Sequence, residues 1–152
     1  MIYTYCKSGH VDKAYAIWEM LLQRLLTSSE LERVDARSFR MLVNALSVSD
    51  TADALKCIDS ILKGMWQLHD AGYVDTAPDV FLYTTAMNAW AKYGEMHRVR
   101  FLLNDLESRH QALQWESLQK DVAMYNALIR AISNQAFRSK AAYDAGQIVK
   151  LM

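Results

Sequence analysis

Apolar residues in this chain fall at helical spacing, and the arrangement as a whole recurs. Three segments, 35–47 (DARSFRMLVNALS), 79–91 (DVFLYTTAMNAWA) and 121–133 (DVAMYNALIRAIS), open on an aspartate and carry an aromatic residue four positions later, at Phe39, Tyr83 and Tyr125. An apolar residue follows after four more positions (Val43, Met87, Ile129) and another after three (Leu46, Trp90, Ile132). Steps of four and three stay on one face of a 3.6-residue helix, so each segment predicts a helix with its stripe buried against a neighbour. The opening stretch MIYTYCKSG matches the back half of the same unit, with Tyr5 at the last stripe position. The residue just before that position is small in every copy (Thr4, Ala45, Ala89, Ala131), which lets a second helix come close.

A short turn stretch follows each of these helices: KSGHVD at 7–12, SVSDTAD at 47–53, KYGEMHR at 92–98 and SNQAFRS at 133–139. A second amphipathic helix is predicted after each turn. Its stripe is Ala14, Ile17, Leu21 and Leu25 in the first copy, Leu55, Ile58, Leu62 and Met65 in the second, and Met96, Val99, Leu103 and Leu106 in the third. In the fourth it breaks off at Ile148, Val149 and Met152. Measured at the last stripe position of the first helix, the periods are 41, 44 and 42 residues, enough for two antiparallel helices and their connections. Neither helix can bury its stripe alone, so the copies must stack. The predicted fold is all-α, an α-solenoid of antiparallel helix-turn-helix repeats. A partial repeat at 1–34, repeats at 35–78 and 79–120 and a partial repeat at 121–152 form one continuous domain. The chain opens and closes inside a repeat with no polar capping helix. It therefore reads as a slice of a longer array, marginally stable and sticky by itself.

Composition fits this picture and removes other classes. Of 152 residues, 52% are hydrophobic, with five glycines and one proline, as in a packed helical protein. The apolar runs are broken, so no membrane span is expected. Lys+Arg and Asp+Glu are 17 each, which supplies no long-range positive field to gather nucleic acid. Cys6 and Cys57 lie 51 residues apart in helical contexts, without a C-x-x-C or a histidine at ligand spacing. Both are expected to be reduced and packed in the core, and no metal site is expected. The four histidines (His10, His69, His97, His110) are scattered, and neither a deaminase signature nor an acidic cluster is present. No catalytic residue, cofactor or small-molecule substrate is therefore predicted. Residues 1–10 carry neither a signal peptide nor an arginine-rich transit pattern and read as the middle of a helix. Trp18, Trp66, Trp90 and Trp115 lie on or beside the stripes and are assigned to packing, and HRVR at 97–100 to a solvated face.

Asp35, Asp79 and Asp121 each precede a predicted helix, where a carboxylate can accept hydrogen bonds from the unpaired first amides and face the positive end of the dipole. Pro78 before Asp79 breaks the preceding chain. Helix capping accounts for an aspartate at these positions without invoking function.

The run YTYCKSGHVDKAYAIWEM from Tyr3 to Met20 resembles the pentatricopeptide repeat family, as do YNALIRA from Tyr125 and PDVFLYT from Pro78. The tyrosine-asparagine pair, the cysteine-lysine-x-glycine turn and the proline-aspartate junction together carry the resemblance, which extends over essentially the whole chain. These repeats run longer than the family's usual length, through extended second helices and linkers such as GMWQLHDAGYVDTAPD. The resemblance implies a right-handed superhelix that binds single-stranded RNA in a mitochondrion or chloroplast, one base per repeat. It further implies that the fifth residue of a first helix and the last residue before the next repeat meet the base edge, with the second residue against the base faces. Carried onto this chain, Thr84 pairs with Asp121 and would favour guanine, with Phe81 stacking. Arg40 pairs with Asp79, with Arg37 stacking. Asn126 and Ala123 serve the fourth copy, and Asp35 remains from the first. Arg40 departs from the family's code and can equally bond Asp79 internally or reach a phosphate. The alternative is a non-catalytic scaffold subunit of a large assembly such as an organellar ribosome, contacting ribosomal or other ribonucleoprotein components.

Overall fold

A computed structural model describes residues 1–28, 36–49, 51–115 and 121–151, with side chains in the last segment through Lys140 and at Tyr143. The described residues form α1 (Ile2–Lys7), α2 (Val11–Thr27), α3 (Ala36–Val48), α4 (Ala52–Asp70), a 3-10 turn (Val74–Thr76), α5 (Val80–Lys92), α6 (Met96–Leu113) and α7 (Val122–Leu151). No strand occurs among them, and no helix among them is long and apolar enough to cross a membrane. The chain divides into two compact units, residues 1–86 and 87–152.

In the first unit α1 packs on α2 and α3, α2 on α4, and α3 on α4, so the first helices of successive repeats form one layer and the second helices another. The predicted stripes make this core: Phe39, Val43 and Leu46 of α3 and Leu55, Ile58, Leu62 and Met65 of α4 are all buried. Each such side chain contributes roughly 1.5–3 kcal/mol when fully withdrawn from water. On α2, Ala14 and Leu25 are buried as predicted, but Ile17 and Leu21 are only half-buried, and Trp18 fills the centre. Trp18 fits because α4 carries Gly64 opposite it: a Cβ built there would lie 2.6 Å from Cη2 and Cζ2 of the indole.

The extra length of the second repeat is structured. After α4 the chain turns at Gly72 (φ +106°) and buries Tyr73, whose hydroxyl donates to the Leu25 carbonyl at the end of α2 (3.2 Å). Thr76, also buried, donates to the Tyr73 carbonyl (2.6 Å). This linker delivers Pro78 and Asp79 to the start of α5, where the Trp66 indole N–H donates to the Tyr83 hydroxyl (2.8 Å).

In the second unit, Trp90 and Met87 at the end of α5, Val99, Leu103 and Leu106 of α6, and Met124, Ala127 and Ala131 of α7 are buried. The α5–α6 turn uses Gly94 at φ +68°, as the sequence predicts. The fourth copy departs from expectation. SNQAFRS at 133–139 makes no turn, and α7 runs unbroken from Val122 to Leu151. Two side chains and the backbone between them explain this. Asn134 Nδ2 donates to the Ala91 carbonyl (2.7 Å), Arg138 Nη1 donates to the Tyr93 carbonyl, and the backbone of Asn134 and Gln135 lies against Gly94. The stretch holds no glycine or proline to break the helix, and it docks as a helix on the carbonyls at the end of α5. Consequently no second helix folds back, and the predicted stripe of Tyr125, Ile129 and Ile132 is exposed rather than buried. The stripe expected at Ile148, Val149 and Met152 lies outside the described side chains.

Both cysteines are free thiols, and each is half-buried, short of the core position expected. Burial raises the pKa of each above its ordinary value. Of the small positions, Ala89 and Ala131 are buried and Ala45 half-buried, whereas Thr4 is exposed. Trp18, Trp66 and Trp90 are packing residues as expected. In HRVR only Val99 is buried, and the Arg98 guanidinium lies 5.3 Å from the Trp90 ring centroid.

Candidate nucleic-acid interface

The first helices of the repeats carry the candidate residues. On α3, Arg37, Arg40, Asn44 and Val48 are exposed at steps of three and four, so they form one face. Position for position, Tyr3 and Lys7 of α1 stand in register with Asn44 and Val48, one period earlier. Both are exposed, and Lys7 Nζ lies 5.3 Å from the Tyr3 ring centroid. Sequence reasoning passed over this pair, although a tyrosine and a lysine four apart on an exposed helix face are the signal for it.

Arg40 meets Asp79 and Phe81, some forty residues on in sequence, at the start of α5. Asp79 Oδ1 accepts from the Leu82 amide (3.0 Å), which caps the helix. Its Oδ2 forms an ion pair with Arg40 Nη2. The Arg40 guanidinium in turn lies 5.8 Å from the centroid of the Phe81 ring. The Arg40 side chain is 48% exposed and Phe81 is 51% exposed, whereas Asp79 is more sheltered. Thr85 hydrogen-bonds back to the Phe81 carbonyl (2.8 Å), and Leu82 and Tyr83, buried on the opposite side of the helix, fix which face Phe81 presents. The arrangement is a charged fork tethered by a carboxylate above a half-open aromatic face. Such a surface stacks a planar group and donates hydrogen bonds to its edge.

The other predicted residues are placed less uniformly. Asp121 Oδ1 accepts from the Met124 amide (3.1 Å), so the second aspartate is also a helix cap, and the capping account holds at both described positions. Asp121 just before α7 and Ala123 and Asn126 on its first two turns are exposed, within the second unit. Thr84 belongs to the first unit, and its hydroxyl oxygen is buried without a hydrogen-bond partner among the described residues. An edge reader has to offer its hydroxyl to a base, and Thr84 holds its own below the surface because Tyr83 and Ala86 beside it turn inward with the helix core. Arg37 is exposed one turn before Arg40 and has interactions of its own. Asp35 lies outside the described residues.

Elsewhere, α2 and α4 border a groove of about 660 Å³ lined by Tyr15, Trp18, Glu19, Met20, Leu22, Gln23 and Ser60. Tyr15 stacks on Trp18 (centroids 5.8 Å apart, planes at 26°), and burial pushes its phenol up to about 12. No group of three or more His, Cys, Asp or Glu that could hold a metal ion occurs among the described residues.

Residues 1–24 match the family model described as a PPR repeat. No curated protein and no solved structure matches the chain.

Proposed function

We propose, on the premise that a chain whose opening residues are a pentatricopeptide repeat is a member of that family, that this protein binds single-stranded RNA along its first-helix layer. Pentatricopeptide repeats are RNA-binding helical repeats in general. The proposal for this chain is sequence-selective binding in an organelle, mitochondrion or chloroplast, where it serves RNA processing, stability or translation without catalysing a reaction itself. The observation that carries it is the exposed Arg40–Asp79–Phe81 cluster. A cationic and an aromatic group lie side by side there on the first helices of the first unit, the chemistry that holds unpaired bases and their backbone.

Net charge is zero, so affinity has to come from stacking and local contacts and only in part from phosphates. Binding should still weaken with salt, by a slope of roughly 0.7 per phosphate contact on single strands. Crosslinking the protein in its native extract and sequencing the attached RNA tests the reading. Recovery of discrete transcript segments is the expected result, and association that is insensitive to salt and free of RNA would overturn it.

A second reading, a scaffold subunit of a large assembly such as an organellar ribosome, draws support from α7. Tyr125, Ile129, Ile132 and Phe137 are exposed there, more apolar surface than one helix usually leaves to water. The same crosslinking experiment separates the two, because ribosomal RNA alone would be recovered from a ribosome-bound scaffold.

A further inference from the structure

We propose that α7 recognises a second copy of itself, and that two copies of the chain form a dimer by laying their α7 helices antiparallel about a two-fold axis at residue 134. The inference does not depend on the RNA-binding reading.

The helix has two unlike faces. Met124, Ala127 and Ala131 are buried on one, and on the same side Asn134 and Arg138 bond to the carbonyls of Ala91 and Tyr93. That docking leaves Val122, Tyr125, Ile129 and Ile132 exposed on the other, and steps of four and three carry this stripe on through the exposed Ala136 and Ser139 to Tyr143. Such spacing makes one continuous seam, about 32 Å long at 1.5 Å per residue.

The order of sizes along the seam selects the partner. Its first half is bulky, its second half mostly small, and the two halves complement each other about residue 134. Ile132 and Ala136 are equidistant from that point, as are Ile129 and Ser139, Tyr125 and Tyr143, and Val122 and Gly146. In an antiparallel pair related by the two-fold, the members of each pair lie opposite one another across the interface, and every contact occurs twice. Each isoleucine then meets a small residue, so the helices interdigitate, and the tyrosines meet each other toward the ends. A parallel pair would instead set Ala136, Ser139 and Gly146 against their own copies across a gap. Antiparallel helices also bring opposite dipole ends together. At the edges of the seam Asn126 comes opposite Lys140 of the second copy and Ser133 opposite itself, so no like charges face one another. One helix against another buries less than a permanent interface does, so association is reversible, with a dissociation constant on the order of 10 μM.

Sedimentation velocity over about 1–200 μM tests this on the unsubstituted protein, Ile132→Ala, Ala136→Ile and the double variant. Both positions are exposed, so circular dichroism should show the helical content unchanged. Ile132→Ala sets alanine opposite alanine and should weaken the dimer at least about tenfold, because the loss occurs twice. Ala136→Ile sets isoleucine against isoleucine and should weaken it as well. The double variant exchanges the large and small members of the pair and should dimerise within about threefold of the unsubstituted protein. Orientation is read by oxidising a mixture of Ile132→Cys and Ala136→Cys chains in which Cys6 and Cys57 are serine. The mixed disulfide should exceed either homodimer. A chain that stays monomeric throughout, as it would if this face served a different protein, overturns the proposal. So does a dimer that neither single substitution weakens, a double variant that fails to recover, or a predominance of Ile132→Cys homodimers, the mark of a parallel pair.

Discussion

Gly64 sits in the middle of α4, where glycine costs a helix roughly 1 kcal/mol relative to alanine. On helix propensity alone Gly64→Ala should stabilise the protein by that amount. The structure predicts the opposite sign. The added Cβ would lie 2.6 Å from both Cη2 and Cζ2 of Trp18 and 2.9 Å from a Leu22 methyl. Carbon atoms settle near 3.5–4.0 Å, so the indole must retreat by about 1 Å. It has little freedom to do so, because it is 2% exposed and stacked on Tyr15. Forcing a methyl into a filled core costs about 1–3 kcal/mol, and displacing an aromatic ring belongs at the upper end of that range. After the propensity gain, Gly64→Ala should destabilise by about 1–2 kcal/mol, measured by urea unfolding followed by circular dichroism. The same substitution in a Trp18→Phe background provides the decisive comparison. Phenylalanine lacks the second ring that carries Cη2 and Cζ2, so there Gly64→Ala should be neutral or stabilising by up to about 1 kcal/mol, a change of sign that only contact between the two positions produces. If Gly64→Ala stabilises the protein with Trp18 intact, the account of α2 against α4 is refuted.

Gly94 and Gly9 both adopt positive φ (+68° and +78°), but only Gly94 is crowded, with Gln135 N 2.7 Å from a built Cβ, whereas Gly9 has nothing within 4 Å. Gly9→Ala should therefore cost about 1–2 kcal/mol from the backbone alone. Gly94→Ala should cost visibly more and should speed hydrogen exchange in α7, and equal costs would contradict the docking of α7 on this turn. Thr84→Val removes a buried hydroxyl that has no partner among the described residues and keeps the side chain's shape. It should raise stability by about 1 kcal/mol, whereas a loss of similar size would mean the hydroxyl is bonded. Tyr15, pushed up to about 12, should ionise well after an ordinary tyrosine in an absorbance titration. Its folded form favours the neutral phenol, so that contribution to stability is complete below pH 10 and is lost as pH rises through 10 toward 12. Coincident ionisation with the exposed tyrosines would refute the burial.

The repeat made most of the fold legible, because a stripe at steps of four and three specifies both a helix and its buried face. Phe39, Val43, Leu46, Tyr83, Met87 and Trp90 are buried as that rule requires. The rule fails at Tyr125, Ile129 and Ile132 for a reason outside the segment: whether 133–139 turns depends on Asn134 and Arg138 bonding to the carbonyls of Ala91 and Tyr93, more than forty residues away. Local sequence carried no counter-signal, since the residues there tolerate helix. Gly64 was equally silent, because a lone helical glycine acquires meaning only once Trp18 is known to lie against it. Of the candidate site, the resemblance to the repeat family implied Arg40 with Asp79, thirty-nine positions apart, and left open whether the two would bond to each other. It could not show that Phe81 joins them, nor that the Thr84 hydroxyl is withdrawn.

The recurring aspartate unites these points. Asp79 caps α5 with one oxygen and restrains Arg40 with the other, so a residue selected by helix energetics is available to the surface at no further structural cost. Capping is worth about 1 kcal/mol, and a half-exposed ion pair contributes at most about that again. The pair is therefore too weak to be explained as a stabilising device, and a long, rotamer-rich side chain gains little for the fold by being ordered there. Its effect lies in what is oriented: a donor-only fork beside a half-exposed aromatic ring. A side chain held in this way has less freedom left to lose in any further contact it makes. At Asp121 the cap is present in the second unit with no arginine paired to it among the described residues, and Asn126 in place of Arg40 leaves an amide at the corresponding fifth position. Two repeats thus share the cap and differ in the group at the fifth position, an arginine held by the carboxylate in one and an exposed amide in the other.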